Sequence, residues 1–368
     1  MAGASRGLMP AASGCRQPPV VRRDCQRLAR NAYNREMKLT RKVIFASIVP
    51  ALALSMPGLR ADVTLRYETE FKPAPALQAM MDQLVKTMQS GAGAGTTILM
   101  KGNQGYTTAG NWSEIFDFTK GDVTVINPRN KTFAAFPLSQ LGDKMAAAMP
   151  QTTPQGMQAV QQILASMKTS VDSKMTGKTA EIQGVQAEER QITFTIDFPL
   201  PAGMANQAGP SMNMKLVMHI WTAKKEEALR VPAIRELIGY QAWQRYIVNP
   251  VGIFEKVAAT MPGLSNAIGP LIAELSKNQS VMLRTNTEIY MPFLAGVAKQ
   301  MAAQGQSSPA IDPDAPLVQI NREVAELSTA PVDASLFEVP KDYTSVSADE
   351  MFHEICKTQC ATAAVAPK

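Results

Sequence analysis

Histidine and cysteine are scarce in this chain of 368 residues. It has two histidines, His219 and His353, and four cysteines, of which Cys15 and Cys25 lie close to the N-terminus. A Ser-His-Asp triad and a histidine-rich metal site are therefore poorly supported. The motifs of phosphate loops, dinucleotide sites, zinc proteases and serine hydrolases are also missing. These shortages argue against an enzyme, and the sequence predicts neither a cofactor nor a metal site.

The excess of positive charge is confined to the N-terminus. The whole chain has 37 Lys and Arg against 31 Asp and Glu, a formal net charge of +6. Residues 1–61 hold eleven of the basic residues and two of the acidic ones, Asp24 and Glu36. Subtraction leaves 26 basic and 29 acidic residues from Asp62 onward, a net charge of −3. A nucleic-acid partner is therefore not expected.

Residues 37–61 are typical of a secretory signal peptide. A basic start at 38–42 precedes an apolar run from Val43 to Leu54, and the small residue Ala61 offers a cleavage site. The apolar run is short for a transmembrane helix, which needs about 20 residues; an uncleaved anchor is the alternative. The preceding 1–36 are rich in arginine and lack periodicity, so we interpret them as an upstream extension outside the fold. The protein is therefore expected to be exported, to the periplasm or the medium.

Cys356 and Cys360 are the two cysteines beyond the predicted cleavage site. In an oxidising compartment two nearby thiols commonly form a disulfide, and a local disulfide is the favoured interpretation. Free thiols are the alternative. The C-x-x-x-C spacing without a histidine cluster is weak support for metal or redox chemistry.

Residues 62–346 are predicted to form a single domain that consists largely of β-strands. Thr96 to Phe136 is typical of an antiparallel meander, in which short strands alternate with turn residues. Apolar and polar residues alternate in Val63–Phe71, Gln191–Phe198 and Ser211–Thr222, as they do in half-buried strands. The chain lacks regular alternation of strands and helices, so a doubly wound parallel sheet is not expected.

Helical periodicity separates groups of these strands. Apolar residues recur at helical spacing in 76–89 and 249–275. Further helices are predicted at 138–149, 156–167, 224–246 and 293–303. The C-terminal 347–368 are predicted to be a tail with one short helix at 348–355. The predicted fold class is α+β: an antiparallel sheet of eight to eleven strands, with helices covering one of its faces.

Methionine is the residue in excess, with 22 in the chain. Its flexible thioether fills irregular cores and also lines surfaces that adapt to varied apolar partners. Met212, Met214 and Met218 share one face of their strand, opposite His219 and Trp221. An ordinary sheet core is one interpretation, and the wall of an apolar cavity with a lid from 249–275 is the other. The candidate cavity residues are Phe116, Phe118, Ile192, Phe194, Met212, Met214 and Met218.

Several segments carry a resemblance to a known family. They are the strand Val63–Phe71, the meander ending in Val123–Phe133, Thr176–Gly184 leading into Gln191–Phe198, the strand end at Trp221 before a helix, and the closing Phe337-x-x-Pro340-x-x-Tyr343. In order and spacing they resemble the LolA/LolB-like lipoprotein-carrier superfamily of bacterial exported proteins, most closely its uncharacterised members. The resemblance implies a curved antiparallel sheet, an incomplete β-barrel, with helices covering its concave face. These helices would cap an apolar cavity, which holds acyl chains in the known carriers of the family. The segments 138–167 and 224–275 are additions to that pattern.

Two functions of different classes follow as hypotheses. The first is an exported non-catalytic protein that binds a lipid or another apolar ligand between the sheet and the helices. The alternative is an envelope structural or protein-interaction module with a filled core and no ligand. Transient contact with a membrane or an envelope protein is compatible with either, and the sequence predicts no oligomeric state.

Overall fold

A computed structural model describes residues 62–75, 78, 95–109, 111–148, 161–162, 164–199, 211–247, 263–305 and 310–363. In these ranges the chain forms one sheet of twelve strands accompanied by helices. The fold class is therefore α+β, as predicted, and the sheet has one strand more than the expected maximum. The predicted helices 76–89 and 156–167, and the beginning of the 249–275 segment, lie largely outside the described residues.

Neighbouring strands of the sheet run antiparallel with one exception. The strands are β1 (Val63–Pro73), β2 (Thr96–Lys101), β3 (Gln104–Ala109), β4 (Trp112–Asp117), β5 (Asp122–Asn127), β6 (Thr132–Pro137), β7 (Lys168–Ile182), β8 (Val185–Pro199), β9 (Ser211–Ala223), β10 (Met282–Tyr290), β11 (Val318–Ser328) and β12 (Thr344–Ser345). Their order across the sheet is β12-β6-β5-β4-β3-β2-β1-β11-β10-β9-β8-β7. Only β12 and β6 pair in parallel within this sheet. Because the end strands β12 and β7 do not pair with each other, the sheet is open.

Helices follow the strands at several points. They are α1 (Leu141–Ala148), α2 (Glu227–Arg230), α3 (Pro232–Ile247), α4 (Leu264–Ser276), α5 (Phe293–Ala303) and α6 (Ala348–Ala363), with 3-10 turns at Leu138–Gln140 and Ala334–Phe337. The predicted helix 224–246 is divided at Val231, whose backbone is extended. The cause is Pro232, since the residue before a proline is disfavoured in the helical conformation. Helix α5 coincides with the predicted segment.

Along β1–β6 the main apolar core lies on one face of the sheet, which we call the inner face. Val63 on β1 lies opposite Met100 on β2, and both side chains are fully buried. Helices α3 and α6 contribute to the same core. Phe352 of α6 packs edge-on against Phe136 of β6, with 5.6 Å between the ring centroids, and Met351 is fully buried. The C-terminal segment that was expected to be a tail thus packs on the sheet.

Tight turns and bulges shape the hairpin of β7 and β8. Gln183 and Gly184 have φ angles of 50° and 72°. Two successive positive φ angles are typical of a type I′ turn, which matches the right-handed twist of its strands. The register of β7 shifts between Met175 and Thr179, which marks a bulge in this strand. Bulges of this kind increase the local twist of a sheet.

A second bulge positions β10. Its register with β9 shifts between Met282 and Arg284, so Leu283 is the extra residue. Leu283 is fully buried in the main core, whereas the side chain of Met282 is 38% exposed. The bulge therefore anchors the beginning of β10 in the core, before the strand continues along the inner face.

We expect Leu283→Ala to lower the free energy of unfolding by about 2–5 kcal/mol, because it leaves a cavity beneath the bulge. Urea unfolding followed by circular dichroism measures this change. The matched control is Met282→Ala, one residue away and exposed, which should change the free energy by less than about 1 kcal/mol. Equal effects of the two substitutions would contradict the anchoring role of Leu283.

Candidate functional site

The predicted methionine row lies on the inner face of β9. Met212, Met214 and Met218 alternate along the strand, and Met218 lies opposite Ile192 of β8. Phe194 is two residues further along β8 and therefore shares that face. Five of the seven predicted cavity residues are thus brought onto one surface.

Helix α4 covers one part of this surface. Its Leu271 and Leu275 pack against Ile192 and Met218. Ile192 is 1% exposed and Met218 is 9% exposed. Phe194 is buried as well. The contacts in this part are those of an ordinary core between a sheet and a helix.

A neighbouring part of the inner face is only half-covered. It lies towards the ends of β1, β8 and β10 and the beginnings of β9 and β11. The apolar side chains there are partly exposed, and we call them the half-covered surface: Phe71, Phe198, Met212, Met214, Leu216, Ile289, Val318 and Ile320. They are neighbours across the strands, since Phe71 lies opposite Ile320, Val318 opposite Ile289, and Ile289 opposite Leu216. Contiguous exposed apolar surface on a protein marks a ligand groove or an interaction site.

Phe116 and Phe118 lie in a different part of the molecule. Phe116, on β4, is 5% exposed and belongs to the main core. The ring centroid of Phe118 is 5.3 Å from that of Tyr240 in α3. Both phenylalanines pack over Gly105, where an added Cβ would lie 2.7 Å from the ring of Phe118. The structure therefore does not bring these two residues together with the methionine row.

Arg322 interrupts the apolar inner face of β11. Its guanidinium carbon lies 4.1 Å from the ring centroid of Tyr67. The hydroxyl of Tyr67 donates a hydrogen bond to the backbone oxygen of Met282 at 2.7 Å. Burial raises the pKa of Tyr67 to about 12, and the charge of Arg322 acts in the opposite direction. Arg322 is not among the site residues predicted from the sequence, although its alternation with Ile320 places it on the apolar face.

Arg190 is a second arginine on the inner face, and it has an acidic partner. Its Nη1 lies 3.5 Å from Oε1 of Glu274 in α4. Hydrogen bonds from Lys277 and Ser173 lower the pKa of Glu274, against the effect of burial. The ion pair therefore joins β8 to α4, and Ile192 separates it from the half-covered surface.

The outer face of the same strands is polar. One row of directly paired residues crosses six strands: Glu70, Asn321, Asn286, His219, Gln191 and Lys174. His219 and Trp221 lie on this face, opposite the methionine row, as predicted. In this part of the sheet the inner face is therefore apolar and the outer face is polar.

Glu189 is a buried carboxylate on the outer face. Its Oε1 lies 2.8 Å from Nδ1 of His219, its Oε2 accepts a hydrogen bond from the hydroxyl of Thr176, and Nζ of Lys178 is 3.5 Å away. The side chain is only 3% exposed. Burial raises the pKa of Glu189, but the hydrogen bonds from Thr176 and His219 outweigh it and lower the pKa. The ionised carboxylate therefore stabilises the bulge of β7.

In the described part of the chain, no group of three or more His, Cys, Asp or Glu side chains is placed to hold a metal ion. No helix there is both long enough and apolar enough to cross a membrane. Cys356 and Cys360 belong to helix α6, but the structure does not describe their side chains. The predicted disulfide stays a prediction.

We expect Glu189→Gln to lower the free energy of unfolding at pH 7 by roughly 1–3 kcal/mol, because it removes the charge that its partners stabilise. The folded-state pKa lies below the ordinary value of 4.5. The contribution of the carboxylate is therefore fully present above pH 4.5 and is lost as the pH falls through the folded-state pKa. Urea unfolding from pH 3 to pH 8 measures the difference from the wild type.

The control for this substitution is Glu188→Gln. Glu188 immediately precedes Glu189 on β8. It is half-exposed, and its side chain points to the other face. A small effect at every pH is expected. A difference between Glu189→Gln and the wild type that stayed constant down to pH 3 would contradict the role of the ionised carboxylate.

Comparison with known proteins provides little support for a family assignment. Protein-family models and curated proteins give no match. Among solved structures, the chain is similar to the Mycobacterium tuberculosis lipoprotein LppX at 10% identity, over 74% of this chain and 88% of that chain, with a TM-score of 0.22. At this identity and TM-score the likeness establishes neither a family nor a ligand.

Proposed function

We propose that this chain is an exported, non-catalytic protein that binds the acyl chain of a lipid, or another apolar ligand, against the inner face of its sheet. The half-covered surface carries this proposal. Its eight apolar side chains keep accessible surface, although the core beside them is almost fully buried. Removing apolar surface from water is favourable by about 25 cal/mol per Å². An apolar ligand lying along these strands would gain this free energy.

The composition of the half-covered surface suits a flexible apolar ligand. Met212 and Met214 can adjust their side chains to ligands of different shape. Leucine, isoleucine, valine and phenylalanine supply the remainder. Ligand sites are typically lined by apolar side chains with a small number of polar groups. Among the described inner-face residues of β1 and β8–β11, Arg322 is the charged group that adjoins this surface.

Export and family membership are parts of the same proposal. The leader-like segment 37–61 supports delivery to the periplasm or the medium. The LolA/LolB-like order of the segments supports an acyl chain as the ligand. A carrier of a water-insoluble molecule must load and unload it, so transient contact with a membrane or an envelope protein would follow.

A structural or protein-interaction module is the second candidate function. The observation that favours it is the burial of Ile192 and Met218 beneath α4, with Phe194 also buried. In that case the sheet is filled by its own side chains and the half-covered surface contacts another protein. The two candidates differ in whether an apolar small molecule binds.

We expect an acyl ligand in stoichiometric amount to copurify with the protein. Native mass spectrometry, followed by mass spectrometry of the extracted lipids, measures this. A protein that carries no ligand and also ignores neutral apolar fluorescent probes would exclude ligand binding and favour the interaction module.

We expect Met214→Lys to weaken the binding of a neutral apolar probe at least about tenfold, because a charge within an apolar surface is costly to bury. The matched control is Asn213→Lys, one residue earlier and on the exposed outer face, which should leave binding unchanged. Fluorescence titration measures both variants, and circular dichroism verifies that they are folded. Global unfolding of Met214→Lys alone would indicate that Met214 is ordinary core.

A further inference from the structure

The position of Arg322 requires an explanation that the main core does not supply. On one side along the strands lie side chains that are almost fully buried: Tyr67, Leu283 and Val324. On the other side lie Ile320 and Val318 of the half-covered surface. Arg322 therefore lies at the end of the half-covered surface that adjoins the main core.

The hydrogen-bonding capacity of Arg322 is unused in the described part of the chain. Its Nε is buried and has no hydrogen-bond partner there. A guanidinium has five N–H donors. The contact of Arg322 with the ring of Tyr67 is a cation–π contact and provides no oxygen acceptor for them. The hydroxyl of Tyr67 is occupied by its bond to Met282. A buried donor without an acceptor is unfavourable.

The other arginines on the same strands differ from Arg322. Arg190 pairs with Glu274, and Arg284 forms two hydrogen bonds of 2.8 Å with Glu323 on the outer face. Arg66 lies within 3.4 Å of a carboxylate oxygen on Glu326. Among the described arginines of β1, β8, β10 and β11, Arg322 is thus the one without a carboxylate partner.

Hydroxyl groups flank Arg322 on both sides. Thr69 of β1 and Thr285 of β10 lie directly opposite it in the two neighbouring strands. Directly opposite residues have Cβ atoms about 4.5–5.5 Å apart. Two hydroxyl donors and a guanidinium in one row suit an anionic oxygen group, which an arginine can bind in bidentate fashion.

We propose that Arg322 binds the anionic head group, a carboxylate or a phosphate, of an acyl ligand whose chain lies along the half-covered surface. This inference rests on the proposed function and names the chemical class of its ligand. The chain would run from Arg322 past Ile320 to Val318, a distance of about 13 Å along the strand. Thr69 and Thr285 would donate hydrogen bonds to the same head group.

The test compares three ligands that share one acyl chain: hexadecanoic acid, hexadecyl phosphate and the neutral methyl hexadecanoate. Each competes with a neutral fluorescent acyl probe on the purified protein at pH 8, where both acids are ionised. We expect at least one acid to bind about tenfold or more tightly than the ester, the size of effect typical of a charge-assisted hydrogen bond. The stronger of the two acids identifies the head group as a carboxylate or a phosphate.

We expect Arg322→Met to abolish the preference for the acid and to leave the affinity for the ester unchanged. Arg322→Lys keeps the charge without the planar fork, so part of the preference should remain. The matched control is Arg284→Met, an arginine on the outer face of β10, which should keep the full preference. If Arg322→Met does not fold, as judged by circular dichroism, Arg322→Gln takes its place.

The possible failures are distinguishable. A wild-type protein that binds the ester and the acids equally would overturn the role of Arg322 and leave the proposed function intact. An Arg322→Met variant that keeps the preference for the acid would also overturn the role of Arg322. If the variant binds neither the ester nor the acids, Arg322 instead supports packing against Tyr67. A wild-type protein that binds none of the ligands, nor the probe, would overturn the proposed function itself.

Discussion

The pairing of β1 with β11 is the interaction on which the sheet depends. It joins β2–β6 on one side to β7–β10 on the other. Arg66 and Glu326, which form an ion pair across this junction, are 260 residues apart in the chain. Closing so long a loop costs conformational entropy before the contacts form. The same pairing puts Phe71 beside Ile320 and so creates one edge of the half-covered surface.

Strand β8 links the main core to the candidate site by changing the side that it buries. At its beginning, Val185, Ala187 and Glu189 are buried. After Glu189 the buried positions are Ile192, Phe194 and Ile196. Val185 and Ala187 belong to the main core, Glu189 contacts the bulge of β7, and Ile192 packs beneath α4. One strand of fifteen residues therefore serves two environments on opposite faces.

Charged side chains have different surroundings on the two faces of the sheet. On the outer face, Arg284 and Glu323 satisfy each other, and Glu189 is stabilised by Thr176 and His219. The Arg284–Glu323 pair is partly exposed and stabilises the surface modestly, whereas Glu189 is buried among its partners. On the inner face Arg322 adjoins apolar side chains and an aromatic ring. A charge in that setting is costly unless an anion pairs with it, which is why we propose the inner face as the one that binds the ligand.

The sequence by itself determined the local features. Alternation predicted the strands of β8 and β9 and the shared face of Met212, Met214 and Met218. The helix predicted at 293–303 coincides with α5. Only the tertiary structure decided that Phe116 and Phe118 join the main core, that α4 covers Ile192, and that Arg322 lies beside Tyr67. The physical reason is the separation along the chain between the residues that interact. Periodicity reports which way a side chain points within its own strand, whereas neighbours and cover depend on contacts between segments far apart in the chain.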